Sequence, residues 1–433
     1  MNNYIKEILT GASLILCFFM FVSAKSQMKH LGEIAVDSIV VQDVPKMEWA
    51  NGFGNDIGNH VHHGMQTSDG GYIGVGNSSE NTNNSNMLIV KTDAQGQLEW
   101  QKFIGSKRSD ETVATVCEDA QGHFYIGGSM QVKREQESAI IKLSAEGEII
   151  WKRIYPHPRA DAIEGITLTG DGHLLATGYS NSANRGAVFL AMDGKGLLLK
   201  LDLDGNVIWE TILESIPQGM MAYEHPEGYA VGGTILKNLN AEDEWAENHD
   251  YCMVVTDPNG KELWSRNFGG PKSEHCYDFA RTSDGDYVFA GHTRSYGVIN
   301  WDYLLMKVDA EGNEAWHSIF GQPRGYDPRY IHDEAYGVKE TSDGGFTIIG
   351  GSGDEHLYSA AGHAMGPSDL WLAYLVKTDS LGNKEWESVY GERSGHNAGE
   401  YMDVTDDGGF IIFSDSDTYG TMKNNSFGFI KLK

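Results

Sequence analysis

Residues 92–100 have the sequence TDAQGQLEW, in which an acidic residue and a glycine precede a tryptophan. The same phrase occurs five more times, as LSAEGEIIW, LDLDGNVIW, TDPNGKELW, VDAEGNEAW and TDSLGNKEW. A seventh tryptophan, in KMEW, continues the series without a turn before it. The spacing of the tryptophans, 51 to 70 residues, predicts a chain built from repeats of that length. They are Trp49, Trp100, Trp151, Trp209, Trp264, Trp316 and Trp386.

A second phrase lies between these tryptophans. It occurs as TSDGGY, TSDGDY, TSDGGF and TDDGGF, with weaker versions in EDAQGHF, LTGDGHL and EHPEGYA. Asp-Gly turns between alternating apolar and polar residues are typical of β-hairpins, and each repeat holds four short apolar runs. We therefore expect an all-β protein, a seven-bladed β-propeller with four antiparallel strands per blade.

The two ends of the chain complement each other. The last residues, FGFIKLK, supply a third strand without a fourth, whereas residues 46–54, KMEWANGFG, supply a fourth strand without the first three. We expect the two segments to pair and close the ring, which leaves no open edge. The predicted organisation is a signal peptide over 1–24, a linker over 25–45 and a propeller over 46–433.

The signal peptide is predicted from three features. Lys6 precedes the apolar run LILCFFMFV, and Val22-Ser23-Ala24 fits a cleavage site. We therefore expect a secreted or periplasmic protein, with no further segment apolar enough to span a membrane. Three cysteines then remain, Cys117, Cys252 and Cys276.

Charge is distributed unevenly over the predicted fold. The net charge is −28, which argues against nucleic acid as a partner. The A–B and C–D turns of a blade, where A is the innermost strand and D the outermost, lie on one face, and here they are rich in aspartate. Eight of the eleven arginines map to the opposite face, which predicts an anion site there, although these arginines could also serve only to solubilise the rim. They are Arg108, Arg134, Arg159, Arg185, Arg294, Arg324, Arg329 and Arg393.

The fifth predicted blade carries the largest number of chemically active side chains. Its strand A holds His275 and Tyr277, and the end of its strand B holds His292 and Arg294. Because strands A and B are neighbours, these groups should meet at one edge. Arginine can neutralise a uronate carboxylate, while His and Tyr exchange protons in a β-elimination. The further substrate-binding candidates are Tyr336, Arg329, Arg185, Arg324 and Arg393; the alternative for the two tyrosines is a packing role.

Histidines and cysteines suggest two further roles. In NHVHHG, strand alternation predicts that His60 and His62 line the axis as catalytic or metal-binding groups, with His63 packed between blades. His249, Cys252 and Cys276 form a candidate zinc set, with a disulfide or two buried thiols as alternatives. A structural zinc or calcium ion is left open, and the predicted chemistry itself needs no cofactor.

In its repeats, its signal peptide and its His-, Tyr- and Arg-rich face, the chain resembles the propeller-type ulvan lyases of marine bacteria. The resemblance covers residues 45–433. It implies a polysaccharide lyase that cuts a sulfated, uronate-containing polysaccharide by β-elimination, and we expect a monomer. The tryptophan phrase is also similar to those of quinoprotein and outer-membrane-assembly propellers, but no adjacent cysteine pair supports a quinoprotein. A non-catalytic propeller that binds a glycan or a protein is the other possibility.

Overall fold

A computed structural model describes most of the chain after residue 43. The described residues are 44–55, 58–81, 84–183, 191–237, 249–324, 331–353, 370–392, 394–419 and 426–433. They form strands and turns, without a helix. Accordingly, they contain no helix of the length and apolar character needed to cross a membrane. The predicted signal peptide lies outside the described residues.

Twenty of the strands form five separate four-stranded antiparallel sheets, each connected in sequence order. The first two are β2 (Asn59–Gln66), β3 (Tyr72–Asn81), β4 (Asn84–Thr92) and β5 (Leu98–Ile104), then β6 (Glu111–Glu118), β7 (Phe124–Val132), β8 (Glu135–Leu143) and β9 (Ile149–Tyr155). The third is β10 (Ala160–Leu168), β11 (Leu174–Ser182), β12 (Lys195–Leu201) and β13 (Val207–Leu213). The last two are β14 (Gln218–His225), β15 (Gly228–Leu236), β16 (His249–Thr256) and β17 (Glu262–Phe268), then β18 (Glu274–Arg281), β19 (Tyr287–Thr293), β20 (Asp302–Val308) and β21 (Glu314–Phe320).

The remaining strands form one eight-stranded sheet. They are β22 (His332–Glu340), β23 (Phe346–Gly353), β24 (Leu372–Thr378), β25 (Lys384–Tyr390), β26 (Asn397–Val404), β27 (Phe410–Ser416), β28 (Ser426–Leu432) and β1 (Met47–Phe53). Its two halves are joined by a single parallel residue pair, Leu372 with Asn397. The Asn397 amide donates to the carbonyl of Trp371 at 2.7 Å.

The prediction of seven separate blades is therefore wrong. The structure gives five four-stranded blades, and the other eight strands share one sheet. The sequence could not reveal this difference, because it depends on one hydrogen-bonded residue pair between strands that the repeat pattern treats as independent.

The chain ends meet within the eight-stranded sheet. β1 pairs antiparallel with β28, with Ala50 opposite Ile430 and Phe53 opposite Phe427. Outside the ladder, the backbone amides of Lys46 and Lys433 donate to each other's carbonyl oxygens. The pairing expected of residues 46–54 is thus present, and it gives the otherwise exposed edge of β28 a partner.

The tryptophan phrase is explained by packing between successive repeats. The glycine of each turn has a positive φ, as at Gly147 (φ 78°), and the tryptophan of the preceding repeat lies on it. A Cβ atom added at Gly147 would lie 2.8 Å from Cδ2 of Trp100. The Trp100 indole nitrogen also donates to the carbonyl of Ala145 in the same turn, at 2.9 Å. The glycine is therefore required both by its backbone conformation and by the close aromatic ring.

A second repeated contact joins strand C to the A–B turn. The strand-C lysine forms an ion pair with the turn aspartate, as Lys91 does with Asp69 at 2.9 Å. The same contact recurs in Lys142–Asp119, Lys200–Asp171, Lys307–Asp284, Lys377–Asp343 and Lys431–Asp407. This geometry gives the repeated lysines a structural role, because each ties strand C to the neighbouring turn.

Candidate functional site in the central channel

Every innermost strand contains one irregularity at the same place. The register with its partner strand shifts by one residue, as between Val61 and His63 in β2. Such a bulge inserts one extra residue, whose side chain no longer follows the regular alternation between the two faces of the strand. The extra residues are His62, Ala114, Glu164, Met220, Tyr277, Tyr336 and Glu400.

All seven bulged residues line one central cavity. The other lining residues are His63, Met221, Asp278 and Tyr401. The cavity has a volume of about 40 Å³. This volume holds a few water molecules but is too small for a sugar ring. The bulges therefore create a narrow channel whose polar lining comes from four different sheets.

His60 lies beside His62, which lines the channel, and is held by an aspartate. Its Nδ1 lies 2.5 Å from Asp415 Oδ2, and the other carboxylate oxygen accepts the Val61 amide. Burial opposes the charged imidazole, but Asp415 more than offsets this and raises the pKa of His60 to about 9. Glu400 also faces this pair. Asp415 thus orients the His60 ring and favours its protonated form.

The other two histidines of this segment are buried. The His62 ring meets His60 edge to face at 4.4 Å, and burial lowers its pKa well below the usual value. The axial position expected for His60 and His62 agrees with this placement, although His62 reaches the channel through the bulge. His63 stacks on Tyr401 of the adjoining sheet at 3.9 Å, as predicted, and it also lines the cavity.

A cluster of histidines lies beside β18 and β19. Nδ1 of His275 and Nε2 of His292 are 2.9 Å apart. His249 meets the His275 ring edge to face at 4.6 Å, and His332 lies 5.6 Å from the His292 ring. Trp301 packs against this group, 4.5 Å from His292. The structure thus brings together His275 and His292 as predicted and adds three aromatic side chains that the prediction did not include.

Burial disfavours the charged form of three histidines in this cluster. Burial, reinforced by the neighbouring imidazoles, lowers the pKa of His275 and of His292 well below the usual value. Burial and Lys237 lower the pKa of His249 to about 4. Neutral imidazoles can accept a proton or bind a metal ion, so this cluster is equipped for either role.

Two tyrosines and an arginine lie next to the cluster. The Tyr277 ring is 5.1 Å from His292 and 5.0 Å from Tyr336. The guanidinium of Arg294 lies over Trp301, 5.6 Å from the ring centre. The Tyr336 hydroxyl hydrogen-bonds to Glu334, and burial together with Glu334 raises the pKa of Tyr336 well above its usual value.

The other predicted substrate-binding residues are less informative. Arg324 donates to the backbone carbonyls of Ser352 at 2.7 Å and Leu370 at 3.2 Å, so it ties two segments together. Arg185, Arg329 and Arg393 lie outside the described residues.

The candidate zinc set is not brought together. Among the described residues, no group of three ligand atoms within 4.8 Å includes Cys252 or Cys276. Both cysteines are buried free thiols, and burial raises the pKa of each. His249 instead belongs to the histidine cluster. Of the alternatives left open by the sequence, two buried thiols is the one that the structure supports.

Several polar residues of the channel and of the neighbouring clusters were missed from the sequence, namely Glu164, His332, Glu334, Glu400 and Asp415. A signal was available for the bulged ones, because each lies five positions before the first residue of its A–B turn. His62 precedes Thr67 and Glu400 precedes Thr405 by this distance. For His332, Glu334 and Asp415 we find no comparable sequence pattern.

Comparisons with known proteins support the fold alone. No protein-family model matches the chain, and no curated protein matches it. Among solved structures, it is similar to the WD40 domain of Pan2 from Neurospora crassa, with a TM-score of 0.54 and 11% identity over 90% of this chain and 94% of that one. It is also similar to a fungal alcohol oxidase of the AA5 family in complex with copper, with a TM-score of 0.53 and 12% identity over 90% and 76% of the two chains. The chain therefore has a β-propeller fold.

Proposed function

We propose that this protein is a polysaccharide lyase that cleaves an anionic, uronate-containing polymer by β-elimination. The observation that carries this proposal is the meeting of Tyr277, His292 and Arg294. Tyr277 lies 5.1 Å from His292, which packs at 4.5 Å against Trp301, and Arg294 lies over the same Trp301 ring. A base, a second proton carrier and a planar cation thus lie around one end of the channel.

Each group has a defined task in the reaction. Arg294 binds the uronate carboxylate and stabilises the negative charge that develops when the adjacent carbon loses its proton. Tyr277, ionised to its phenolate, takes that proton and becomes the neutral phenol, while the bond from the ring carbon to the leaving oxygen breaks and a carbon–carbon double bond forms. The same proton then passes to the leaving oxygen, either directly from the Tyr277 hydroxyl or relayed through His275 or His292.

The channel restricts where the polymer binds. The cavity is too small for a sugar ring, and the channel carries the acidic residues Glu164 and Glu400. A polyanion would therefore lie across the mouth, with its carboxylate on the Arg294 side. A sulfated, ulvan-like polymer is the substrate class that the resemblance implies.

The test is turnover on a panel of uronate polysaccharides, followed by the ultraviolet absorbance of the unsaturated uronate. We expect Tyr277→Phe to lower turnover at least about a hundredfold, because it removes the proton-transfer hydroxyl. Arg294→Lys should lose about as much, because lysine keeps the charge without the two-pronged geometry. The matched control is Tyr155→Phe. Tyr155 lies at the end of the outer strand β9, and its hydroxyl donates a hydrogen bond to the carbonyl of Gly205. Folded variants at Tyr277 and Arg294 with turnover within about threefold of wild type would contradict the proposal.

A non-catalytic glycan-binding propeller is the second candidate. The observation in its favour is burial, because His275 and His292 are only 3% and 1% exposed. In that case, the same polysaccharides would retard the protein in affinity electrophoresis without any new ultraviolet absorbance.

A further inference from the structure

We propose that His292, His332 and Glu334 form a binding site for a divalent transition-metal ion such as zinc. Each side chain offers one ligand atom, and the three atoms lie within 4.8 Å of one another. Nε2 of His332 is 2.9 Å from Oε1 of Glu334. Two imidazole nitrogens and one carboxylate oxygen are a ligand set that zinc and similar ions use in proteins.

The fold holds these ligands on two different sheets. His332 and Glu334 are alternate residues near the start of β22, so their side chains leave the same side of the strand. His292 comes from β19 in the preceding sheet, and its ring centre lies 5.6 Å from that of His332. An ion at this place would therefore join two neighbouring sheets at the channel.

The partners of the ligands are arranged as in metal sites. A metal-binding histidine usually donates its second ring N–H to another group. Nε2 of His292 lies 2.9 Å from Nδ1 of His275 and can donate to it, which leaves a lone pair on His292 Nδ1. That Nδ1 atom is buried without a hydrogen-bond partner among the described residues. The second carboxylate oxygen of Glu334 accepts the Tyr336 hydroxyl, which fixes the carboxylate.

The surroundings shield the site from water. His292 is 1% exposed and His332 is 8% exposed. Trp301 stacks on His332 at 5.8 Å and excludes water from one side.

The remaining ligand cluster at the channel is less suitable. His60, Glu400 and Asp415 also lie within 4.8 Å of one another. However, the His60 side chain is 41% exposed, whereas that of His332 is only 10% exposed, so the His60 cluster is more open to water. With three protein ligands, the His292 site keeps a coordination position open for water or a ligand oxygen. The inference concerns binding and does not depend on lyase activity.

The experiment uses the full chain, purified without a histidine tag and stripped with a chelator. Zinc is titrated calorimetrically, and cobalt(II) is titrated while its visible absorption is recorded. We expect one bound ion per chain at the lowest concentrations, with the intense visible bands of four- or five-coordinate cobalt. Glu334→Gln should weaken zinc binding at least about tenfold, and His332→Ala should remove it.

Two controls make the assignment specific. His249→Ala alters the same histidine cluster outside the ligand set, and Asp415→Asn alters the second cluster; both should keep zinc affinity within about twofold of wild type. Glu334→Gln preserves the shape of the side chain, so it remains informative if His332→Ala fails to fold. Unchanged affinity in Glu334→Gln would overturn the site, and so would a loss in His249→Ala or Asp415→Asn alone. Absence of any bound zinc or cobalt would also overturn it.

Discussion

The turn face, which is formed by the A–B and C–D turns, and the central channel are both built on a repeated backbone. They differ in whether the side chains repeat as well. On the turn face, one position of each A–B turn is an aspartate in sheet after sheet, and a strand-C lysine meets it. In the channel, the bulge of each innermost strand recurs equally regularly, but its residue changes between histidine, glutamate, tyrosine, methionine and alanine. Where backbone position and side chain repeat together, the contact serves the fold. Where only the position repeats, side chains are available for function.

The two regions also differ in electrostatics. Burial opposes ionisation of the turn residue Asp343, but hydrogen bonds from Thr341, the Gly345 amide and Lys377 lower its pKa to about 2. In the channel, burial raises the pKa of Glu164 and Glu400 well above the usual value. The turn face holds satisfied charges, whereas the channel holds acidic groups whose protonation depends on what binds there.

The largest expected effect comes from removing a repeated element as a whole. A chain that begins at residue 55 lacks β1, whereas a chain that begins at residue 44 keeps it. Loss of β1 removes the ring contacts of Trp49 with Tyr72 and of Phe53 with Phe429, whose ring centres lie 5.7 Å and 5.1 Å apart. Both side chains are partly buried, and their loss should cost several kcal/mol, so we expect the melting temperature to fall by at least about 10 °C between the two chains. Equal melting temperatures in calorimetry would show that the closure does not stabilise the ring.

The next effect separates backbone strain from packing in the repeated turns. Gly147 and Gly172 have nearly the same positive φ, 78° and 79°. A Cβ at Gly147 would meet Trp100 at 2.8 Å, whereas a Cβ at Gly172 would have no neighbour within 4 Å. Gly172→Ala should cost about 1–2 kcal/mol in the free energy of unfolding, and Gly147→Ala about 1–3 kcal/mol more. Equal losses of unfolding free energy for the two variants in urea denaturation would show that the contact with Trp100 does not explain why this glycine recurs.

A smaller effect is expected at the repeated lysine. Lys91, whose side chain is 1% exposed, donates to Asp69, Glu99 and the carbonyl of Thr92. The matching position opposite the tryptophan of β17 is naturally Val255. Lys91→Val should therefore fold, with a loss of about 1–3 kcal/mol in urea denaturation. Zinc affinity should stay unchanged in Lys91→Val. A variant that kept full stability but lost zinc binding would show that the turn face and the channel do not have separate roles.

The smallest effects concern pH. The folded pKa of Asp343 lies below its ordinary value of 3.8, so its stabilisation is present above that value and is lost as pH falls towards 2. The folded pKa of His60 is about 9, above its ordinary 6.5, so its stabilisation is complete below pH 6.5 and is lost as pH rises through 9. Asp343→Asn should flatten the acid side of the profile and Asp415→Asn the alkaline side. Unfolding midpoints across this pH range test both, and a variant that flattens the opposite side would refute the assignment.

The sequence by itself determined the hairpins, the turn contacts and the pairing of the chain ends. The hairpins depend on neighbours close in sequence and the turn phrases recur along the chain, whereas the chain ends could be matched because each supplies the strands that the other lacks. It also placed His275, Tyr277, His292 and Arg294 in one region, because strands A and B of one hairpin must be adjacent.

Only the tertiary structure decided how the sheets divide and which side chains meet at the axis. A single residue pair, Leu372 with Asn397, joins two groups of strands into one sheet. Asp415 meets His60 across 355 positions of sequence, and His292 meets His332 across two sheets. A one-residue bulge changes which side chain faces the channel. Such contacts are made once in the molecule and depend on the curvature of the whole ring, so no repeated pattern in the sequence records them.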